Sequence, residues 1–547
     1  MTDQRTFSWD RRMFIGAGAA AGALAFASIP LEILGQDRRL ATIGGTAKTT
    51  SGSVRGLLKD GVQQFWCVPY GAPTGGANRF MAPKKPAAWS GVKDVFEITF
   101  GAPLAPGAEE PSPVVTALNR KTPESEDCLS VNVFTPGLDK RARPVMVWMH
   151  GGGFTAGSGN YLLYDGTNLA KKEDVVVVAV NHRLNLFGFL HLADLGGEKW
   201  AGATNAGIQD LVAALGWVHE NIENFGGDPG RVTIFGQSGG GGKTTTVMAM
   251  PSAEGLFHRA IAQSGSAFRG QAASEATDGA ERYLAKLGLK RDQLDKLHEL
   301  DTKTLQAAYY SEPQIQRLAT GPVIDGKILP RNQWDPTAPS YSAKVPLLAG
   351  SVETENGWVG PPPFDLSDAD MLERFTKQLA GNDSAQAEKL LGLYKRTHPD
   401  LRNQMLWLAA EADDQRRWSA QELCRLKQEQ HAAASYLYFF DWFSPVHNNR
   451  MGAYHTLDIP FVFYNLDIGA SMTGSAQSRY SLGHVMSAAW AAFARTGNPN
   501  HPDMPSWPAF DAATYPTMVF GEHVHVANDP NREERLALAE LKRKRAS

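Results

Sequence analysis

The chain has 547 residues, 43% hydrophobic and 20% charged, which is soluble globular composition with material for a large core. Its 54 basic and 57 acidic residues leave a formal net charge of −3, so no basic field exists to hold nucleic acid. Three cysteines, Cys67, Cys128 and Cys424, exclude a disulfide framework and leave room for one bridge at most; no Cys/His spacing reads as a metal site.

The N-terminus reads as an address rather than as fold. Arg11-Arg12, then Met13-Phe14-Ile15 and a mildly apolar stretch to Ala27, match a twin-arginine (Tat) export signal over residues 1–27. Ala25-Phe26-Ala27 offers a small-x-small cleavage site before Ser28. The stretch is too short and too rich in Gly and Ala to span a bilayer, and no other segment is apolar for long enough. The expectation is a precursor handled by the Tat machinery and a periplasmic or secreted product, with residues 28–547 forming a single domain.

Apolar runs then alternate with helical patterns. "VMVWMH" (145–150), "VVVVAVN" (175–181), "VTIFG" (232–236), "RAIAQSG" (259–265), "VPLLAGSV" (345–352) and "SYLYFFD" (435–441) read as buried strands. "NAGIQDLVAALGWVHENIENF" (205–225) has helical period. Continuous apolar strands between helices indicate α/β class: a mostly parallel central sheet with helices on both faces. Residues 270–340 and 362–430 read as large helical insertions over that sheet. The C-terminal "NREERLALAELKRKRAS" reads as a surface helix with a frayed basic end.

Within this frame, His150-Gly151-Gly152-Gly153-Phe154 directly follows a strand. A glycine run there leaves N–H groups free to point into a cleft and meet an oxyanion. Further on, "VTIFGQSGGGGKTTT" (232–246) poses a choice. Its end resembles a phosphate loop, but that pattern places a Gly five residues before Gly242, where Gln237 stands. Its start, Gly236-Gln237-Ser238-Gly239-Gly240, fits G-x-S-x-G in full, the strand-to-helix turn that presents a nucleophilic serine. On that reading Lys243 is dispensable. A serine so presented needs a neutral His as base and a carboxylate to orient it, following in the order acid, His. Glu353 and Glu355, past the strand at 345–352, are the candidate acids. Among the later histidines His455 stands out, in "GAYHTLDIPFVF" beside small residues.

Together these segments resemble the type-B carboxylesterases, the branch of the α/β-hydrolase fold that includes cholinesterases. The resemblance runs over about residues 45–520. It is carried by "FWCVPYGAPTGGANRFMAPKKPAAWSGVKD", "SEDCLSVNVFTP", "HGGGF", "VNHRLNLFGFL", "WVHENIENFGGDPGRVTIFGQSGG", "AIAQSGS", "GAYHTLDIPFVF" and "WAAFARTGNPN", in the family's order. It implies Ser238 as nucleophile, His455 as base, and Glu355 as acid because it lies five residues after Gly350, with Glu353 the runner-up. It implies Gly152, Gly153 and Gly239 as oxyanion donors, Arg79 and Glu126 as a structural ion pair, and Ser264 as a buried polar neighbour of the triad. No cofactor is implied.

The chain departs from the family pattern at Gln237, where Glu is usual, and at Gly239, where Ala is usual and where Gly is expected to loosen the turn. The partner cysteine normally upstream of Cys128 is missing, so Cys128 is expected to be free. Leu118 stands where cholinesterases carry the Trp that holds a cation, and no Trp occurs between 90 and 147. The expected activity is hydrolysis of a neutral or anionic small-molecule ester, in a pocket that Phe154, Tyr161, Trp358, Phe364 and Trp442 are candidates to line. The alternatives are a non-catalytic cholinesterase-like binding protein and a hydrolase of thioesters, lactones or amides.

Overall fold

The computed structural model describes residues 41–105, 122–318, 320–356, 366–446 and 448–546. Residues 1–27, expected to form an export signal, and Leu118, Trp358 and Phe364 lie outside the described residues. The strands in chain order are β1 (Thr42–Thr49), β2 (Gly52–Lys59), β3 (Val62–Pro69), β4 (Val92–Asp94) and β5 (Ser130–Thr135). Then come β6 (Arg143–Met149), β7 (Val176–Val180), β8 (Gly227–Gln237), β9 (Arg259–Gln263), β10 (Gln271–Ala272) and β11 (Val323–Ile324). The last are β12 (Leu347–Val352), β13 (Ser435–Phe440), β14 (Pro516–Phe520) and β15 (His525–Asn528).

All but β10 and β11 join a 13-stranded sheet in the order β1-β2-β3-β5-β7-β6-β8-β9-β12-β13-β14-β15, with β4 beside β2. From β7 to β14 every neighbouring pair is parallel. Each apolar run anticipated as a strand lies in this parallel block. Antiparallel strands flank it: β1, β2, β3 and β5 on one side, β15 on the other.

The runs are continuously apolar because both faces of the block are covered. Side chains alternate across a strand. Thus Val145, Val147 and Met149 of β6 enter one core, while Met146 and Trp148 enter the other. β7 divides in the same way, with Val176, Val178 and Val180 opposite Val177 and Ala179. The first core is roofed by the anticipated helix, Ala206–Asn221, through Ile208, Leu211, Leu215 and Val218. The second is roofed by Ser478–Thr496 through Met486, Trp490 and Phe493. Each buried Val, Leu, Ile or Phe contributes about 2 kcal/mol relative to exposure.

The insertions sit over this frame with their own small cores. Residues 270–340 contain the helices Ala273–Lys286 and Thr302–Tyr310, and the parallel pair β10–β11 ties their two ends together. Residues 366–430 carry four more α-helices, including Ser384–Thr397 and Asn403–Ala412. The C-terminal helix, Arg532–Ala546, lies at the surface as expected and turns Leu538 and Leu541 into the core of that second insertion. They lie three residues apart and so share one helical face. All three cysteines are free and buried.

Candidate active site

β6 and β8 are neighbours, with Met149 opposite Gly236. The segments that leave their carboxyl ends therefore meet: His150 to Gly153 after β6, Ser238 after β8. β7 lies on one side of β6 and β8 on the other, so strand order reverses there. Sheets of this kind bind ligands at that switch point.

Ser238 has φ 60° and ψ −124°, a backbone conformation that costs of order 1–3 kcal/mol. Its neighbours hold it there. Ser238 N–H donates to Gln263 O at 2.8 Å, and Gly242 N–H donates to Ser238 O at 3.1 Å. The flanking glycines are required: a Cβ on Gly236 would stand 2.5 Å from Met149 O, and one on Gly240 would run into the same carbonyl. The serine itself is half-buried and opens the helix Gly239–Val247.

Gly152 and Gly153 have φ 86° and 61° and are exposed. A turn closed by Ala156 N–H donating to Gly152 O at 3.0 Å holds them. Among the described residues neither of their own N–H groups has an acceptor. Gly239 N–H, at the first position of its helix, has no intrahelical acceptor either. The expected loosening at Gly239 is not what the structure shows. A Cβ there would stand 2.5 Å from Gly153 O and closer still to its N and Cα, so the glycine loop fills the space an alanine would take.

Glu355 lies just past β12 and His455 just past Tyr454, which bridges to Thr354. His455 Nδ1 meets Glu355 Oε2 in a short hydrogen bond. Glu355 Oε1 also accepts from Val352 N–H at 3.2 Å, and His455 N–H donates to Glu355 O at 3.1 Å. Both side chains are buried. The runner-up, Glu353, has other neighbours: Arg417, Asp413 and Asp441. Burial pushes its carboxyl up to about 8, against the pull of Arg417.

The structure brings His455 and Glu355 into contact, but it gives no hydrogen bond between Ser238 Oγ and His455. Such bonds often tighten only with substrate bound. The imidazole instead meets Gln237 Nε2, 3.2 Å from Nδ1 and 3.3 Å from Nε2. With Nδ1–H given to Glu355, Nε2 keeps the lone pair a base needs.

Arg79 pairs bidentately with Glu126 at 2.8 and 2.7 Å and donates to Leu297 O and Leu300 O, fastening the first insertion. Ser264 is buried with φ 48°, and its Oγ has no partner among the described residues. Trp442 is core, packed against Phe461. Phe154 packs edge-on against Phe189 and Tyr161 lies beside Tyr164.

Two features escaped the sequence reading. Asp458, buried three residues past His455, accepts from Gln263 Nε2 at 2.8 Å and Tyr438 Oη at 3.0 Å; burial pushes it up to about 6. A charged residue at the head of "IPFVF" is the signal that marks it. The second is Lys243, expected to be dispensable. It is fully buried and donates to His150 O at 2.8 Å.

The family model described as the carboxylesterase family matches residues 44–538. The chain is 36% identical to the para-nitrobenzyl esterase of Bacillus subtilis (strain 168), over 90% of this chain and 97% of that one. It is 32% identical to the phenmedipham hydrolase of Pseudarthrobacter oxydans, over 90% and 99%. Among solved structures it resembles a carboxylesterase of Geobacillus stearothermophilus, with a TM-score of 0.77 and 34% identity over 90% of this chain and 99% of that one.

Proposed function

The chain belongs to the carboxylesterase family and is a serine carboxylic-ester hydrolase, and from that premise we propose how its residues divide the work. His455 Nε2 takes the proton of Ser238 as its Oγ attacks the ester carbonyl. Glu355 fixes the imidazole tautomer and stabilises the imidazolium that forms. The N–H groups of Gly152, Gly153 and Gly239 take up the oxyanion, each such donor being worth about 3 kcal/mol in the transition state. The imidazolium returns its proton to the leaving alcohol, and water then releases the acyl group by the same steps. The observation that carries this reading is the buried His455–Glu355 pair, with the residue before Ser238 in contact with the ring. Ser238→Ala is expected to abolish turnover of p-nitrophenyl butyrate while circular dichroism stays unchanged. Parent-level turnover in that variant would refute the assignment.

The substrate is a neutral or anionic ester of modest size. Gln237 puts an amide where a carboxylate would draw a cation, and the Bacillus subtilis relative above is named for para-nitrobenzyl esters. kcat/KM for butyrylcholine is expected to fall below that for an uncharged butyrate ester with a comparable leaving group; the reverse order would contradict this.

The mature enzyme is exported by the Tat route, on the strength of Arg11-Arg12 and the stretch behind them. Arg11→Lys with Arg12→Lys is expected to hold the precursor in the cytoplasm, and unchanged export would rule the route out.

A further inference from the structure

The helix that opens at Ser238 carries a lysine to which the mechanism above gives no role. No part of Lys243 reaches solvent, and its Nζ donates to the main-chain carbonyl of His150 at 2.8 Å. Among the described residues no carboxylate pairs with it, and burial alone lowers it to about 7. Two buried imidazoles near it, His150 and His182, stack on each other with ring centroids 5.0 Å apart. Burial pushes both well down, and the charge of Lys243 lowers them further. An amine kept dry without a counter-ion is an expensive arrangement.

The group it binds explains the placement. His150 begins the segment whose Gly152 and Gly153 N–H groups are the oxyanion donors. One turn of helix nearer to Ser238, the absence of a side chain at Gly239 leaves the space that Gly153 occupies. The segment is hooked at its start by Lys243 and seated at its end on Gly239. Between those two points lie only Gly151 and Gly152, and glycines resist displacement poorly.

We propose that Lys243 is a positioning residue for the oxyanion loop, holding the His150 carbonyl so that the N–H groups of Gly152 and Gly153 stay aimed above Ser238. This rests on the reading of Ser238 and those glycines as the reaction centre. The lysine itself touches no substrate and moves no proton.

The test compares the purified parent with Lys243→Met, using p-nitrophenyl butyrate and two inhibitors. A trifluoromethyl ketone forms an oxyanion on Ser238; the matching methyl ketone binds without one. A loop misplaced by about 1 Å can cost about a hundredfold. In Lys243→Met, kcat is therefore expected to fall about ten- to a hundredfold with KM within about twofold of the parent. Affinity for the trifluoromethyl ketone falls by a like factor, and affinity for the methyl ketone holds. Tm holds or rises, because methionine fills the same space without a buried charge. Unchanged kcat and unchanged trifluoromethyl ketone affinity would overturn the proposal. So would equal losses of affinity for both ketones with a lower Tm, which mark a role in packing alone. Lys243→Gln, which keeps an N–H donor on a shorter stem, is the second variant. A smaller fall than in Lys243→Met, or none, supports the hook; a fall as large as in Lys243→Met, from a side chain that still donates, overturns it. Absence of ester turnover in the parent would overturn the Ser238 reading and this proposal together, whereas parent-level constants in both variants overturn the hook alone.

Discussion

Glu353 and Glu355 stand two residues apart at the end of β12, yet they belong to different chemistries. Glu355 meets the imidazole of His455 and takes the N–H of Val352. Glu353 faces Arg417 and two further carboxylates, Asp413 and Asp441, and holds its proton up to about 8. Both carboxyls lie past the same strand, so strand position selects neither. The partner decides: on the proposed mechanism, the imidazole of His455 draws one carboxylate into the reaction, and a guanidinium among acids leaves the other to the scaffold.

The largest expected effect breaks the pair apart. Glu355→Gln leaves His455 in the wrong tautomer and is expected to lower kcat by up to about 10⁴, by analogy with the Asp-to-Asn change in the serine-protease triad. Glu353→Gln is expected to keep kcat within about threefold. The opposite ranking of the two variants on one neutral ester would reverse the assignment.

Next is the seat of the oxyanion loop. Gly239→Ala places a Cβ against the backbone of Gly153 and is expected to lower kcat roughly tenfold or more, with KM little changed. Unchanged kcat would show that the loop shifts at no cost.

A smaller effect concerns the charge beside the imidazole. Gln237→Glu returns a carboxylate to the site and is expected to raise the ratio of choline-ester to neutral-ester kcat/KM roughly fivefold, the equivalent of about 1 kcal/mol. An unchanged ratio would mean that a cation does not sense position 237.

The smallest effect sharpens the comparison through stability. The folded-state pKa of Glu353 is raised, so folding binds a proton between the unfolded value near 4.3 and about 8. The stability this group contributes is fully present below that window and is lost as pH rises through it. The Tm difference between the parent and Glu353→Gln is therefore expected to move against the parent from pH 5 to pH 8. A constant difference would contradict the raised value.

How much of this was legible in the sequence follows from which side chains are buried. The parallel strands were legible because both faces of β6 to β13 are covered, and a strand covered twice is an unbroken apolar run. The antiparallel margins were not. β1 and β15 lie half in solvent, and strands such as "TIGGTAKT" carry too few apolar residues to stand out from loops. In the site, Ser238 and the glycines stood out by their motifs, Glu355 by family spacing and His455 by its small neighbours in the sequence, and the structure brings the last two into contact. Lys243 was not legible, because Gly-Lys-Thr resembles the end of a phosphate loop, and once that reading fails the lysine is left without a role. The helix it belongs to is buried without an apolar stripe: Gly239, Gly240 and Gly241 lie against backbone, and the Thr245 and Thr246 hydroxyls donate to main-chain carbonyls. Asp458 was hidden in the same way, as a polar residue whose partners, Gln263 and Tyr438, come from distant strands.

The central claim is that the strained turn after β8 presents the nucleophile. Its most direct measurement is peptide mass spectrometry of the parent after reaction with a fluorophosphonate. The account predicts a single adduct on Ser238, formed with loss of ester turnover and absent from Ser238→Ala. An adduct on another residue, or loss of turnover without modification of Ser238, would contradict it.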